Sequence, residues 1–270
     1  MILVGATPVS VVLGAAAAVA YAVPALAARR VGLLSARRLL LAAWALHGLQ
    51  LGWLIAGEPA RFGFAQTLSI TVWLVLTIYL VETRLYPRMP IRWALAGFGS
   101  LAIILAFIYP GAHLPDTTSP LLALHWALGL TAYGLLAVAV AHGWLMRRAE
   151  QAMRGAAADD DASGIPLLKL ERLMFRFVGA GFVLLTLTLV VGTFFGEQLY
   201  GPVDLGWHWD HKHVFTVLSW IVFAALLVGH WRFGWRGRRA VRMLNTGAVL
   251  LLLGYVGSRF VMEVLLGRTG

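Results

Sequence analysis

The 270-residue chain carries eight histidines and eleven tryptophans, and their spacing is uneven. Seven consecutive residues, Trp207-His208-Trp209-Asp210-His211-Lys212-His213, hold two indoles, a carboxylate, an ammonium and three imidazoles. Imidazole nitrogens are metal ligands, and flat indoles beside them suit the apolar faces of a planar macrocycle. A haem platform is one chemistry this run could serve. The other is a bare zinc or copper ion on His208, His211 and His213, with Asp204 and Asp210 as the carboxylates at hand. A plainer reading takes the tryptophans as an interfacial belt and Asp210 as a helix N-cap. It explains each residue singly and their concentration less well.

The elements that must position these residues are membrane spans. Only 13% of the residues are charged and 60% are hydrophobic, with a mean hydropathy of +0.79. A soluble domain would carry about a quarter charged residues. A span needs about 20 apolar residues, and eight such stretches fall near 8–28, 38–56, 64–81, 93–109, 120–145, 176–195, 213–231 and 240–258. The expected fold is therefore all-α, a polytopic transmembrane bundle of about eight helices in one domain over 1–270.

The net charge of +10 finds its explanation in topology rather than nucleic acid. Cytoplasmic loops accumulate Lys and Arg, and alternate breaks between spans hold 18 of the 22 basic residues. The other breaks hold Arg61, Lys212, Arg259 and Arg268. Both termini are thus expected outside, with the tryptophan-rich loop of about 196–213. Met1 to Ser10 has no basic n-region and Arg29-Arg30 stop the first span, so that span reads as an anchor.

Depth counting at 1.5 Å per residue then sorts the histidines. His125 lies five residues into helix five from its outer end, and His213 opens helix seven on the same side. His113, His208 and His211 sit in the adjoining outer loops. His142 and His230 lie 17 residues further along those same two helices, about 25 Å away near the inner face. His47 falls near mid-membrane in helix two, where an imidazole needs a partner. Since an ionisable group in hydrocarbon is a functional candidate by default, His125, His213 and His47 lead the set.

The absence of cysteine excludes a disulfide framework, thiolate metal sites and a CxxCH haem-attachment motif. No pair of Gly/Pro-broken spans marks a transporter midplane site, and no motif nominates a nucleophile and base for hydrolysis. On the cytoplasmic side, residues 147–166 contain Asp159-Asp160-Asp161 and Ser163-Gly164 and read as a flexible linker. After it, Leu167, Leu168, Leu170, Leu173 and Met174 interleave with charged residues. That pattern suits a short amphipathic helix at the interface or a plain extension of helix six.

The run from Gly192 to His230 contains Gly-Thr-Phe-Phe-Gly, Gly-Trp-His-Trp-Asp-His-Lys and then Ser219-Trp220-Ile221-Val222-Phe223. It resembles the tryptophan-rich WWD segment and following helix of the cytochrome c assembly superfamily, membrane haem-handling proteins of the CcsA and CcmC type. His125-Trp126, with Tyr133 eight residues on, is similar to that family's histidine-bearing helix. The size, the eight helices and the closing Gly257-Ser258-Arg259-Phe260-Val261 look most like its short branch of HemX and YpjD-like inner membrane proteins. The similarity covers residues 40–265.

The resemblance implies a multi-pass protein of the bacterial inner membrane that binds or hands on haem b in cytochrome c assembly or haem homeostasis. It is not expected to be an enzyme. His125 matches one outer iron ligand, Trp207, Trp209 and Asp210 the haem-contacting loop, and His230 the inner-leaflet histidine. The chain departs from the family pattern twice. Trp209-Asp210-His211-Lys212-His213 stands where the family usually has Trp-Asp-Pro-Lys-Glu, and Gly257 to Gly270 contains no histidine where a second outer ligand is expected. His208 or His213 as substitute, a five-coordinate iron, and a branch that no longer holds haem all remain open. The expected partners are the lipid bilayer, haem and other assembly proteins, with no nucleic acid. The other function class is a regulatory or scaffolding subunit that keeps the family fold and acts through a partner membrane protein.

Overall fold

A computed structural model describes residues 8–26, 32–56, 61–85, 92–113, 120–154, 166–195 and 211–265. Among them the chain forms α1 (Pro8–Leu26), α2 (Leu33–Ala56), α3 (Phe64–Leu85), α4 (Arg92–Ile108), α5 (Pro120–Arg154), α6 (Leu167–Phe194), α7 (His211–Phe233) and α8 (Gly237–Leu252). Six of these helices are long and apolar enough to cross a bilayer, the last by running on from α8 to Leu265, and α4 is a shorter apolar helix. Helix α2 is 24 residues long. The polytopic all-α bundle expected from composition is the fold.

Two compact units divide the chain, one of Met1–Asp116 with Met262–Gly270 and one of Thr117–Val261. In the first, α1 packs on α2 and α4, and α3 on α2 and α4, closing a ring of four. Close approach between apolar helices in lipid relies on small residues, and the α1–α4 seam uses one from each side. A Cβ on Gly14 would collide with the Phe107 ring, and one on Gly99 would come within 3.0 Å of the Tyr21 ring. Between α2 and α3, Trp44 and Trp73 stack 5.5 Å apart. Trp44 Nε1 donates to Thr77 Oγ1 at 2.8 Å, and Trp73 Nε1 to the Trp44 carbonyl at 3.0 Å. Two-residue strands β1 (Arg61–Phe62) and β2 (Ala112–His113) pair antiparallel, Arg61 opposite His113. Beside them Gly63 lies so near the Glu263 carboxylate that a Cβ would sit 2.9 Å from either oxygen.

The second unit is another ring, α5 on α6 and α8, α7 on α6 and α8. Along the antiparallel α5–α6 seam glycines meet side chains at three successive levels: Gly181 against Leu136, Gly129 against Thr188, and Gly192 against His125. Across α7 and α8, Ser219 Oγ donates to the Gly247 carbonyl at 2.8 Å. Helix α7 ends at Gly234, whose φ of +63° only glycine adopts cheaply. That turn lets Gly234 N–H reach the His230 carbonyl and Trp235 N–H the Gly229 carbonyl.

On the cytoplasmic side one expectation changes and one left open is decided. Residues 147–154, placed in the linker, continue α5, which at 35 residues runs about 52 Å. Leu167 to Arg176 is the start of an unbroken α6 rather than a separate interfacial helix. The reason is packing: Leu170 and Met174 are fully buried, so the protruding parts of both helices bury one another's apolar residues. Residues 155–165 of the linker lie outside the described residues.

Beyond Leu252 the last helix opens into π-turns at Leu253–Gly257 and Val261–Leu265, with one α turn, Ser258–Phe260, between them. A π-turn weakens the hydrogen-bond ladder. Just before the first one, the Tyr133 hydroxyl of α5 donates to the Leu251 carbonyl at 2.6 Å. Tyr133→Phe is expected to cost about 1 kcal/mol and to speed amide hydrogen exchange around Leu251–Gly257 with no change elsewhere. Unchanged protection there would show that the bond does not hold this segment.

Candidate functional site

His125 sits in the second turn of α5, half-buried, because α6 comes close at Gly192. A Cβ on Gly192 would lie 3.1 Å from His125 Cε1 and 3.7 Å from Nδ1. Leu136, Gly129 and His125 are spaced to fall along one side of α5, and Gly181 and Gly192, three turns apart, along one side of α6. Nδ1 of His125 is buried and makes no hydrogen bond of good geometry among the described residues, although the Thr188 backbone of α6 lies close enough to act on the ring. An imidazole nitrogen withdrawn from water without a well-formed hydrogen bond is costly, and a metal bond is one way to satisfy it.

His213 enters from the first turn of α7, exposed, and lies within electrostatic reach of His125. The same turn is locked to the last helix: Thr216 Oγ1 donates to the Lys212 carbonyl at 2.7 Å, and Gly254 packs against both residues. The structure therefore brings His125 and His213 to one end of the second unit, as the depth count expected. Trp207, His208, Trp209 and Asp210 lie outside the described residues, as do the side chains of His113 and His211. Chain connectivity ties that loop to this end, since it joins Phe195, beyond the Gly192 turn, to His211.

The other histidines are not brought here. His142 is buried in α5 with Nδ1 on the Val138 carbonyl at 2.9 Å and its ring 5.2 Å from Phe177. His230, at the opposite end of α7, stacks on Phe175 with 3.5 Å between centroids, and its Nδ1 lies 3.0 Å from the Trp235 carbonyl. Both therefore pack on α6, near its N-terminal half. Around them Arg239 lies over the Trp235 ring at 3.7 Å, and Arg236 faces Glu171 at 3.9 Å.

His47 belongs to the first unit and is fully buried. Its Nε2 is 2.8 Å from Ser69 Oγ and its Nδ1 3.4 Å from the Tyr21 hydroxyl. Its partners are protein hydroxyls from α3 and α1, so both ring nitrogens are engaged as the side chains stand. The mid-membrane imidazole has the partners its depth required. Gln50 Oε1 and Gln66 Oε1, buried in the same unit, have no partner among the described residues.

Among the described residues no group of three or more His, Asp or Glu side chains is placed to hold a metal ion. A bare zinc or copper site would need the tryptophan-rich loop. Haem brings most of its iron's ligands with it, so a chain that holds it need supply few side-chain nitrogens. Sequence reasoning passed over Gly192 and Gly181. The eleven-residue interval between them was a readable sign of one glycine-lined helix face, though its partner helix was not.

A family model described as cytochrome C assembly protein matches residues 35–266. The chain is similar to the inner membrane protein YpjD of Escherichia coli (strain K12), 31% identical over 198 residues, 73% of this chain and 72% of that protein. It is also similar to the cytochrome c biogenesis protein CcsA of Gloeobacter violaceus, 31% identical over 94 residues, 35% of this chain and 27% of the other. The CcsA of Prochlorococcus marinus (strain MIT 9215) is 36% identical over 93 residues, 34% of this chain and 29% of the other. No solved structure matches.

Proposed function

We propose, for a chain that belongs to the cytochrome c assembly protein family and is a multi-pass protein of the bacterial inner membrane, that it binds and presents haem at its outer face. Membership in that family supports a role in cytochrome c biogenesis. The finer reading rests on one observation above the others: the buried Nδ1 of His125, without a hydrogen bond of good geometry, at the end of the unit where His213 also lies.

Haem, when bound, supplies an iron centre whose polarity and access the surrounding protein sets. His125 would hold the group through a ring nitrogen, its ring kept in place by the close approach of Gly192. His213 or His208 would provide a second nitrogen, or neither would. Trp207 and Trp209 would cover the macrocycle's face, with Asp210 beside them. His142 and His230, each packed on an aromatic ring of α6, hold the inner face of the same unit. In the outer orientation given by the arginine distribution, delivery to another assembly protein would take place on the far side of the bilayer from the basic loops. His47 enters this reading as a hydrogen-bonded centre of the first unit.

The test is a reduced-minus-oxidised pyridine haemochrome spectrum of the protein purified in detergent from haem-replete cells. A b-type spectrum approaching one haem per chain is expected. A preparation without haem, which also takes up none on titration, would overturn the reading in favour of a scaffolding subunit.

A further inference from the structure

Between the two π-turns of the last helix stands Arg259, one of only four basic residues on the side of the topology that holds the tryptophan-rich loop. A π-turn inserts a residue and rotates every side chain after it, and such turns recur at functional sites. Here one precedes Arg259 by two residues and another follows it by two, so its position around the helix axis is set by the first of these turns. Its Nε is buried and has no hydrogen-bond partner among the described residues. The side chain as a whole is half-buried, and a guanidinium keeps its charge at any accessible pH, so the withdrawn Nε–H is a donor suited to an anionic acceptor.

Register shows what Arg259 is level with. Gly143 of α5 packs against Val241 of α8, and the Tyr133 hydroxyl bonds the Leu251 carbonyl. Ten residues back along α5 correspond to ten forward along the last helix, so the two run antiparallel in step. Eight residues further back from Tyr133 is His125, about 12 Å along α5, and eight further forward from Leu251 is Arg259, a shorter advance because the path runs through the π-turn at Leu253–Gly257. Helix α7 reaches the same region, with Lys212 and Thr216 against Gly254. Arg259 is thus at the His125 end of its own unit.

We propose that Arg259 holds an acidic group of the ligand bound at His125. On the haem reading above, on which this inference rests, that group is one of the two carboxylates of haem. The fork of N–H donors on a guanidinium matches a carboxylate in paired fashion, which an ammonium cannot reproduce. The position would then set ligand orientation, with the ring's carboxylate edge turned toward the last helix. It also gives a use to the end of that helix, where this chain has no histidine.

The experiment titrates haem-stripped protein in detergent with haem and, separately, with haem dimethyl ester, following the Soret band. The intact protein is expected to bind haem on the order of tenfold more tightly than the ester. Arg259→Gln should bring haem down to the ester's level and leave the ester's affinity unchanged, while Arg259→Lys retains part of the preference. Equal affinity of the intact protein for both, or a full preference in Arg259→Gln, overturns the assignment while leaving haem binding intact. Binding of neither overturns the haem reading itself. Should Arg259→Gln fail to fold, the ester comparison on the intact protein and Arg259→Lys still decides.

Discussion

Purified His125→Ala protein is expected to lose its haem, with the haemochrome per mole of chain falling on the order of tenfold or more, while the helical bundle stays folded. The side chain is half-buried at a helix end, so truncation removes little packing. What it removes is the nitrogen. A second substitution makes the same point without touching the ligand. Gly192→Leu places a Cβ 3.1 Å from His125 Cε1, and the branched remainder must drive the ring from its position. Haem content should fall as steeply as in His125→Ala. Gly179→Leu is the control, because that glycine, on the same helix, meets nothing within 4 Å and should leave haem unchanged. Full haem in Gly192→Leu would mean that the ring's seat against α6 has no part in binding, and full haem in His125→Ala would remove the residue from the site.

His47→Ala should act in the opposite sense, on stability rather than on haem. The imidazole is fully buried, and its loss opens a cavity and deprives the Ser69 and Tyr21 hydroxyls of their partner. Truncating a buried side chain of this size costs about 2–5 kcal/mol, and hydrogen bonds in membrane bundles average only about 0.6 kcal/mol each. A loss of about 3 kcal/mol, read from denaturant or thermal unfolding in detergent, is therefore expected, most of it from packing. Haem per folded molecule should not change. A His47→Ala protein as stable as the original but stripped of haem would instead place His47 among the ligands.

Much of this protein is legible without coordinates. Each of the eight apolar stretches lies in a helix among the described residues, because hydrocarbon tolerates few other backbone arrangements, and the span boundaries agreed to within several residues at most ends. The larger disagreements lie where the chain leaves the hydrocarbon. There hydropathy stops reporting, yet α5 and α6 continue because they bury Leu170 and Met174. The pairing of His125 with His213 at one end, and of His142 with His230 away from it, followed from counting residues along helices whose rise is fixed.

Side-chain partners were not legible, since one-dimensional depth carries no azimuth. Depth counting set His47 near mid-membrane and His125 near an outer helix end, but gave neither imidazole its neighbours. Tertiary packing separates them: α1 and α3 turn hydroxyls toward both nitrogens of one, and α6 turns a glycine toward the other, leaving its Nδ1 without a hydrogen bond of good geometry. Arg259 stood in the sequence only as one of four basic residues in the outer breaks, and the antiparallel register of α5 and the last helix sets it at the His125 end. The sequence by itself determined a membrane protein, its helices, its charge asymmetry and its family resemblance, because each depends on composition and periodicity along the chain. Only the tertiary structure decided which polar groups are satisfied within the protein, because that depends on which faces of neighbouring helices meet.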